Sequence, residues 1–152
     1  MTIWFTSDTH FGHYNIINFC KRPIVEGFDG VPPSLSRDEA RKLNDELIIR
    51  RWNEVVKQDD HIYHLGDFAF YGKSKTAAII QQLNGIKYLV RGNHDGHSSD
   101  WWKTQGFQWV RDYHVLRLHD KKEDGQQYHQ DIVLCHFPIL SWENMQHGTW
   151  HL

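Results

Sequence analysis

Short runs of apolar and β-branched residues recur along the chain, and each stops at a polar loop. Ile3-Trp4-Phe5-Thr6 reads as a strand that runs out at Ser7-Asp8. His61-Ile62-Tyr63-His64-Leu65 reads as a second, ending at Gly66-Asp67, and residues 86–91 as a third, ending at Gly92-Asn93-His94-Asp95. Ile132-Val133-Leu134-Cys135 is a fourth and ends at His136. The spaces between the first three read as helices. Ser36 followed by Glu39 is a capping box, and Ala40, Leu43, Leu47, Ile48, Trp52, Val55 and Val56 fall on one face of a helix reaching about Lys57. A second helix spans about residues 74–83 and stops at Asn84-Gly85. Strand, helix, strand, helix, strand predicts parallel strands joined by right-handed crossovers. After Phe107 the pattern changes. Residues 109–118 and 127–134 flank a polar stretch with Asp124-Gly125, which predicts a hairpin in a second, antiparallel sheet. Val31-Pro32-Pro33-Ser34 is a loop, and no internal repeat is present.

The length of 152 residues fits one domain, large enough to bury roughly 70% of the surface of its unfolded chain. Cys20 and Cys135 lie far apart without CxxC spacing, so reduced thiols and a cytoplasmic protein are expected and a zinc ribbon is excluded. A formal net charge of −2 gives no global pull toward nucleic acid. No apolar run is long enough to cross a bilayer, and the first eight residues carry no secretory pattern. The twelve histidines matter only by position.

In open α/β sheets, ligands collect beyond the carboxyl ends of the strands. Asp8, Asp67, Asn93 and His136 all stand at such ends, so parallel strands would bring them to one rim. Carboxylate, imidazole and amide oxygen form a mixed donor set that suits manganese, iron, zinc or nickel better than a calcium cage. Taken singly, Asp8-x-His10 arises by chance, Gly66-Asp67 is a turn, and His136 is a core histidine. Their order at successive strand ends makes the combination specific.

Ser7-Asp8-Thr9-His10, Leu65-Gly66-Asp67, Arg91-Gly92-Asn93-His94-Asp95 and Cys135-His136-Phe137-Pro138 resemble the ordered motifs of calcineurin-like metallophosphoesterases. The wider wording around His10-Phe11-Gly12-His13 is similar to a small bacterial or phage branch. The resemblance implies an α/β fold, a two-sheet α/β/β/α sandwich in a single domain over residues 1–152. It implies two divalent ions, manganese foremost, with iron, zinc, nickel or magnesium as alternatives. Asp8 and His10 would bind the first ion, Asp67 would bridge both, and Asn93 and His136 would bind the second. His94 would protonate the leaving group and Asp95 would hold the His94 ring. The implied reaction is attack of a metal-activated hydroxide on a phosphomonoester or phosphodiester.

The family pattern has a further Gly-His-x-His motif. The sequence stops at Gly148-Thr149-Trp150-His151-Leu152 before any such motif, so a domain incomplete at its C-terminus is expected. His147 or His151 are candidate substitutes, and a bare edge of the second sheet would invite a homodimer. Two rivals to hydrolysis of a small or nucleotide-like phosphoester follow. One is a metal-binding or assembly module with little turnover. The other is a nuclease-like enzyme with a basic groove from Lys73, Lys75, Lys87 and Arg91, which the net charge does not encourage. Arg91 is a phosphate contact or a salt-bridge partner, and His13 a substrate contact or a surface residue. His64 is expected to be buried behind the site. Trp101, Trp102 and Trp109 are expected to pack rather than stack a base.

Overall fold

The computed structural model describes residues 1–121 and 125–152. Its elements are β1 (Ile3–Thr6), α1 (Tyr14–Phe19), α2 (Arg37–Val55), β2 (His61–His64), α3 (Lys73–Ile80), β3 (Ile86–Val90), α4 (Ser99–Thr104), β4 (Phe107–Arg111), β5 (His114–Lys121), β6 (Gln127–Leu134) and β7 (Trp150–His151), with a 3-10 turn at Met145–His147. The expected Asp124-Gly125 turn and the neighbouring Lys122 and Glu123 lie largely outside the described residues.

Strands β1 to β4 form one parallel sheet in chain order, and β5, β6 and β7 form a second. In the second sheet β5 pairs antiparallel with β6. Period-two alternation sorts the side chains of β1, β2 and β3 onto two faces, and a register irregularity between β3 and β4 lets Phe107 and Val110 share one face. Ile62, Leu89, Phe107 and Val110 pack against Trp52, Val56, Ile79, Ile80 and Trp102 on the helical side. Tyr63, Leu65 and Val90 meet Leu116 and Leu134 of the second sheet on the other. Leu89 and Val90 are both fully buried, one on each face, and each contributes about 1.5–3 kcal/mol. The result is a mixed α/β architecture of two packed sheets, with helices against the first. This agrees with the expected two-sheet α/β fold; after β4 the described residues add the 3-10 turn between β6 and β7.

The capping box at Ser36 forms as expected: its hydroxyl accepts from the Glu39 amide. Val55, expected on the packed face, is 48% exposed, whereas the polar Asn44 and Asp45 are buried. Residues 109–118 do not form one strand. Phe107–Arg111 joins the parallel sheet beside β3, and the chain breaks before β5 begins at His114. A local stretch of strand formers carries no information about which neighbour it will pair with. β7 lies along the free edge of β6, opposite Ile132 and Val133, so the expected bare edge is partly covered.

Candidate metal centre

The loops after β1 and β2 are locked together by backbone hydrogen bonds. The Asp8 amide donates to the Gly66 carbonyl at 2.9 Å, that of His10 to Asp67 at 3.0 Å, and that of Phe11 to Phe68 at 3.0 Å. The pairing holds three non-glycine residues in the left-handed region: Asp8 (φ 54°), His10 (φ 50°) and Asp67 (φ 56°). Such conformations cost of order 1–3 kcal/mol each and persist only where the surroundings over-determine them. All three are residues the motifs single out. Gly92 serves close approach, since a Cβ there would collide with the Asp67 carboxylate and lie 2.5 Å from the Asp67 amide.

Asp67 stands at the centre, 5% exposed. Its Oδ2 lies 3.5 Å from Nε2 of His10 and 3.9 Å from Nε2 of His94. Its Oδ1 accepts from the His94 amide at 3.0 Å and lies 3.7 Å from Nε2 of His136. Asp8 approaches His10 from the other side, with Oδ1 4.0 Å from Nδ1. Asn93 Oδ1 is 3.3 Å from Nε2 of His136. The structure thus brings Asp8, His10, Asp67, Asn93, His94 and His136 to one rim, although His136 arrives from the second sheet.

Asp95 is also at the rim but acts differently from expectation. It is 1% exposed, and its carboxylate accepts from backbone amides rather than the His94 ring. Oδ2 receives Asp67 N at 2.8 Å and Gly92 N at 2.9 Å, and Oδ1 receives Phe68 N at 2.9 Å. A carboxylate within reach of three converging amides is captured by them, so Asp95 ties the β2 loop to the β3 loop. The His94 ring instead lies against Phe70, centroids 4.4 Å apart, and Phe70 also stacks on His10 at 5.3 Å.

Two further histidines have defined tautomers. Fully buried His64 accepts the Gly66 amide at Nδ1 (3.2 Å). Its Nε2–H donates to Thr9 Oγ1 at 2.9 Å, because the Thr9 hydroxyl proton goes to the Phe68 carbonyl. With no lone pair left to bind an ion, His64 supports the site from behind. Burial, helped by His10 and His136, pushes its pKa down to about 3. His13 caps α1 by accepting the Ile16 amide at Nδ1, and its pKa is lowered, chiefly by burial.

The remaining candidates fall elsewhere. Arg91 pairs with Asp112 at 3.2 Å and donates to Ser99. Lys87 donates to the carbonyls of Leu83 and Gly85 near the start of β3, away from the rim, and Lys75 sits over the Tyr71 ring. Trp102 is in the core at 1% exposure, and Trp101 and Trp109 pack against the two clusters. His151 lies against Trp142, and His147 lines a cavity with His129 and Asp131. Sequence reasoning overlooked Arg22, Asn44, Asp45 and Phe70. Asp45 accepts from the Gly12 amide at 3.0 Å and the Tyr71 hydroxyl at 2.9 Å, and burial raises its pKa. The only sequence signal was an Asn-Asp pair interrupting the packed face of a long helix.

The donor set fits divalent cations. Donor atoms of Asp8, His10 and Asp67 all lie within 4.8 Å of one another, and Nδ1 of His10 is buried without a hydrogen-bond partner. His136 makes the stronger case. Its Nδ1–H donates to the Leu65 carbonyl at 2.7 Å, so in the neutral ring the Nε2 lone pair faces Oδ1 of Asn93 and Oδ1 of Asp67. Three converging acceptors call for a cation between them. The carbonyl bond behind the ring is the usual support of a metal-bound imidazole.

Comparison with known proteins agrees. The family model for calcineurin-like phosphoesterase matches residues 1–150. An uncharacterized protein of Methanocaldococcus jannaschii is 38% identical over 95 residues, covering 61% of this chain and 46% of that protein. The Gene 66 protein of Mycobacterium phage L5 is 28% identical over 98% of this chain and 70% of its own length. The crystal structure of a protein of unknown function from Aquifex aeolicus superposes with a TM-score of 0.55 at 29% identity, over 90% of this chain and 60% of that one. The chain therefore spans between about half and two thirds of the length of most of these relatives. No helix among the described residues is long and apolar enough to cross a membrane. Motif order, two-sheet architecture and family match together place this chain in the calcineurin-like phosphoesterase family, whose members bind divalent metals and hydrolyse phosphoesters.

Proposed function

We propose that this chain carries the core of a two-metal phosphoesterase acting on a small phosphomonoester or phosphodiester, with Asp67 shared between the ions. One observation carries this reading: the two oxygens of Asp67 face separate donor sets, Oδ2 toward His10 and Oδ1 toward His136. Asp8 and His10 complete one set, Asn93 and His136 the other. Divalent cations held by these residues, manganese foremost, would supply Lewis acidity toward phosphoryl oxygens and would lower the pKa of a water toward neutrality.

The side chains supply the rest. The His94 side chain is 45% exposed at the rim, and its Nε2 lies 3.9 Å from Asp67 Oδ2, which supports a role in delivering a proton to a departing alkoxide. In neutral His13, acceptance at Nδ1 leaves the proton on Nε2, available to a phosphoryl oxygen. Phe70 (38% exposed) lies against His10 and His94, and Phe137 (49% exposed) against His136. These two exposed rings favour a leaving group with an apolar face, such as a nucleoside.

The test is hydrolysis of bis(p-nitrophenyl) phosphate and p-nitrophenyl phosphate during a manganese titration. Asp67→Asn should abolish turnover and weaken both ions. His94→Ala should slow turnover by roughly 10²–10⁴ while metal content stays near wild type. Wild-type-like turnover in Asp67→Asn refutes the shared-ligand reading. Metal binding without hydrolysis of either ester would favour a binding module.

A further inference from the structure

We infer that Arg22 is a positioning residue for the Asp8–His10 metal ligands, acting through the backbone that presents them. The inference rests on the reading of Asp8 and His10 as metal donors. The turn carrying them is strained at both positions, with φ of 54° and 50°. Its amide side is held by the β2 loop, through Asp8 N to Gly66 O and His10 N to Asp67 O. Its carbonyl side is held by Arg22. Nη2 donates to the Asp8 carbonyl and Nη1 to the Thr9 carbonyl, both at 2.8 Å, and Nη1 also reaches Asn44 Oδ1 at 3.3 Å.

A planar guanidinium can hold two successive carbonyls in one rigid fork, which a lysine ammonium cannot reproduce. The fork is itself anchored. The Arg22 amide donates to the Ile17 carbonyl at 2.8 Å, and its carbonyl accepts from Gly30 at 3.1 Å and Ile24 at 3.0 Å. The segment after α1 thereby clamps the turn after β1. The hydrogen bonds go to the Asp8 carbonyl, so they leave its half-exposed carboxylate free for a cation. Pulling on the peptide units sets the direction of the Asp8 and His10 side chains without competing for their donor atoms.

Position and charge predict opposite signs. A cation beside a cation site weakens metal binding by Coulomb repulsion, so removing it tightens binding if charge alone matters. If Arg22 sets ligand geometry, removing it loosens binding, by roughly 10- to 100-fold as for other groups that orient metal ligands.

The experiment is calorimetric titration of metal-stripped protein with Mn²⁺, with far-UV circular dichroism confirming the fold of each variant. Arg22→Gln should lose roughly 10- to 100-fold in affinity. Arg22→Lys, which keeps the charge and is the milder change for folding, should also bind more weakly than wild type. Millimolar guanidinium ion should restore part of the Arg22→Gln loss, and urea at the same concentration should not. Unchanged or tighter Mn²⁺ binding in folded Arg22→Gln or Arg22→Lys overturns the role of Arg22. Absence of Mn²⁺ binding in the wild type overturns the underlying assignment of Asp8 and His10 and the inference with it.

Discussion

Replacing Asp95 by asparagine separates the strut seen in the structure from a partner of the His94 ring. The wild-type carboxylate receives the amides of Asp67, Phe68 and Gly92 at 2.8–2.9 Å in a site 1% exposed. Asparagine has one oxygen. Turned toward Asp67 and Gly92, it keeps both contacts, but each loses its charge assistance, about 1 kcal/mol apiece. Its NH2 group then faces the Phe68 amide, donor against donor, and leaves a buried N–H unpaired at about 1–3 kcal/mol. The sum is about 3–5 kcal/mol, a large fraction of the roughly 5–15 kcal/mol that keeps a domain folded. Urea denaturation of the metal-stripped protein measures this directly, with the m-value checked for a two-state change. A ring-orienting Asp95 would cost activity and leave metal-free stability almost untouched. A loss under about 1 kcal/mol in metal-free Asp95→Asn would refute the strut, since surface-like substitutions stay within that range.

Gly92→Ala places a Cβ 2.5 Å from the Asp67 amide, against backbone that Asp95 also holds. It should cost about 1–3 kcal/mol by overpacking and weaken Mn²⁺ binding, read by thermal melts with and without the ion. His64 gives a pH signature. It is neutral in the native state, with a pKa near 3, whereas the unfolded chain takes up the proton near pH 6.5. The unfolded state therefore binds more protons below pH 6.5, so this contribution is complete above that pH and is lost as pH falls. Between pH 7.5 and 5 the loss is about 2 kcal/mol, and His64→Gln should remove that slope from urea titrations. A wild-type slope equal to that of the variant would show that His64 is already charged in the fold.

The residues at the rim were legible in the linear sequence because each ligand stands at the end of a run of strand formers. Termination of a strand is a local property, written in φ-permissive and polar residues over a few positions. The Ser36 cap was legible for the same reason: both of its partners lie within one helical turn. Tertiary structure alone decided that Phe107–Arg111 pairs with β3, since strand propensity is blind to the neighbour. It also decided that the Nδ1–H of His136 goes to Leu65, 71 positions away, which turns Nε2 to the rim. The partners of Asp95 and the fork of Arg22 belong to the same class. A carboxylate or guanidinium packed into the fold takes whatever amides and carbonyls the chain brings within about 3 Å, and hydrogen bonds of that range depend on folding distance rather than on spacing along the polymer.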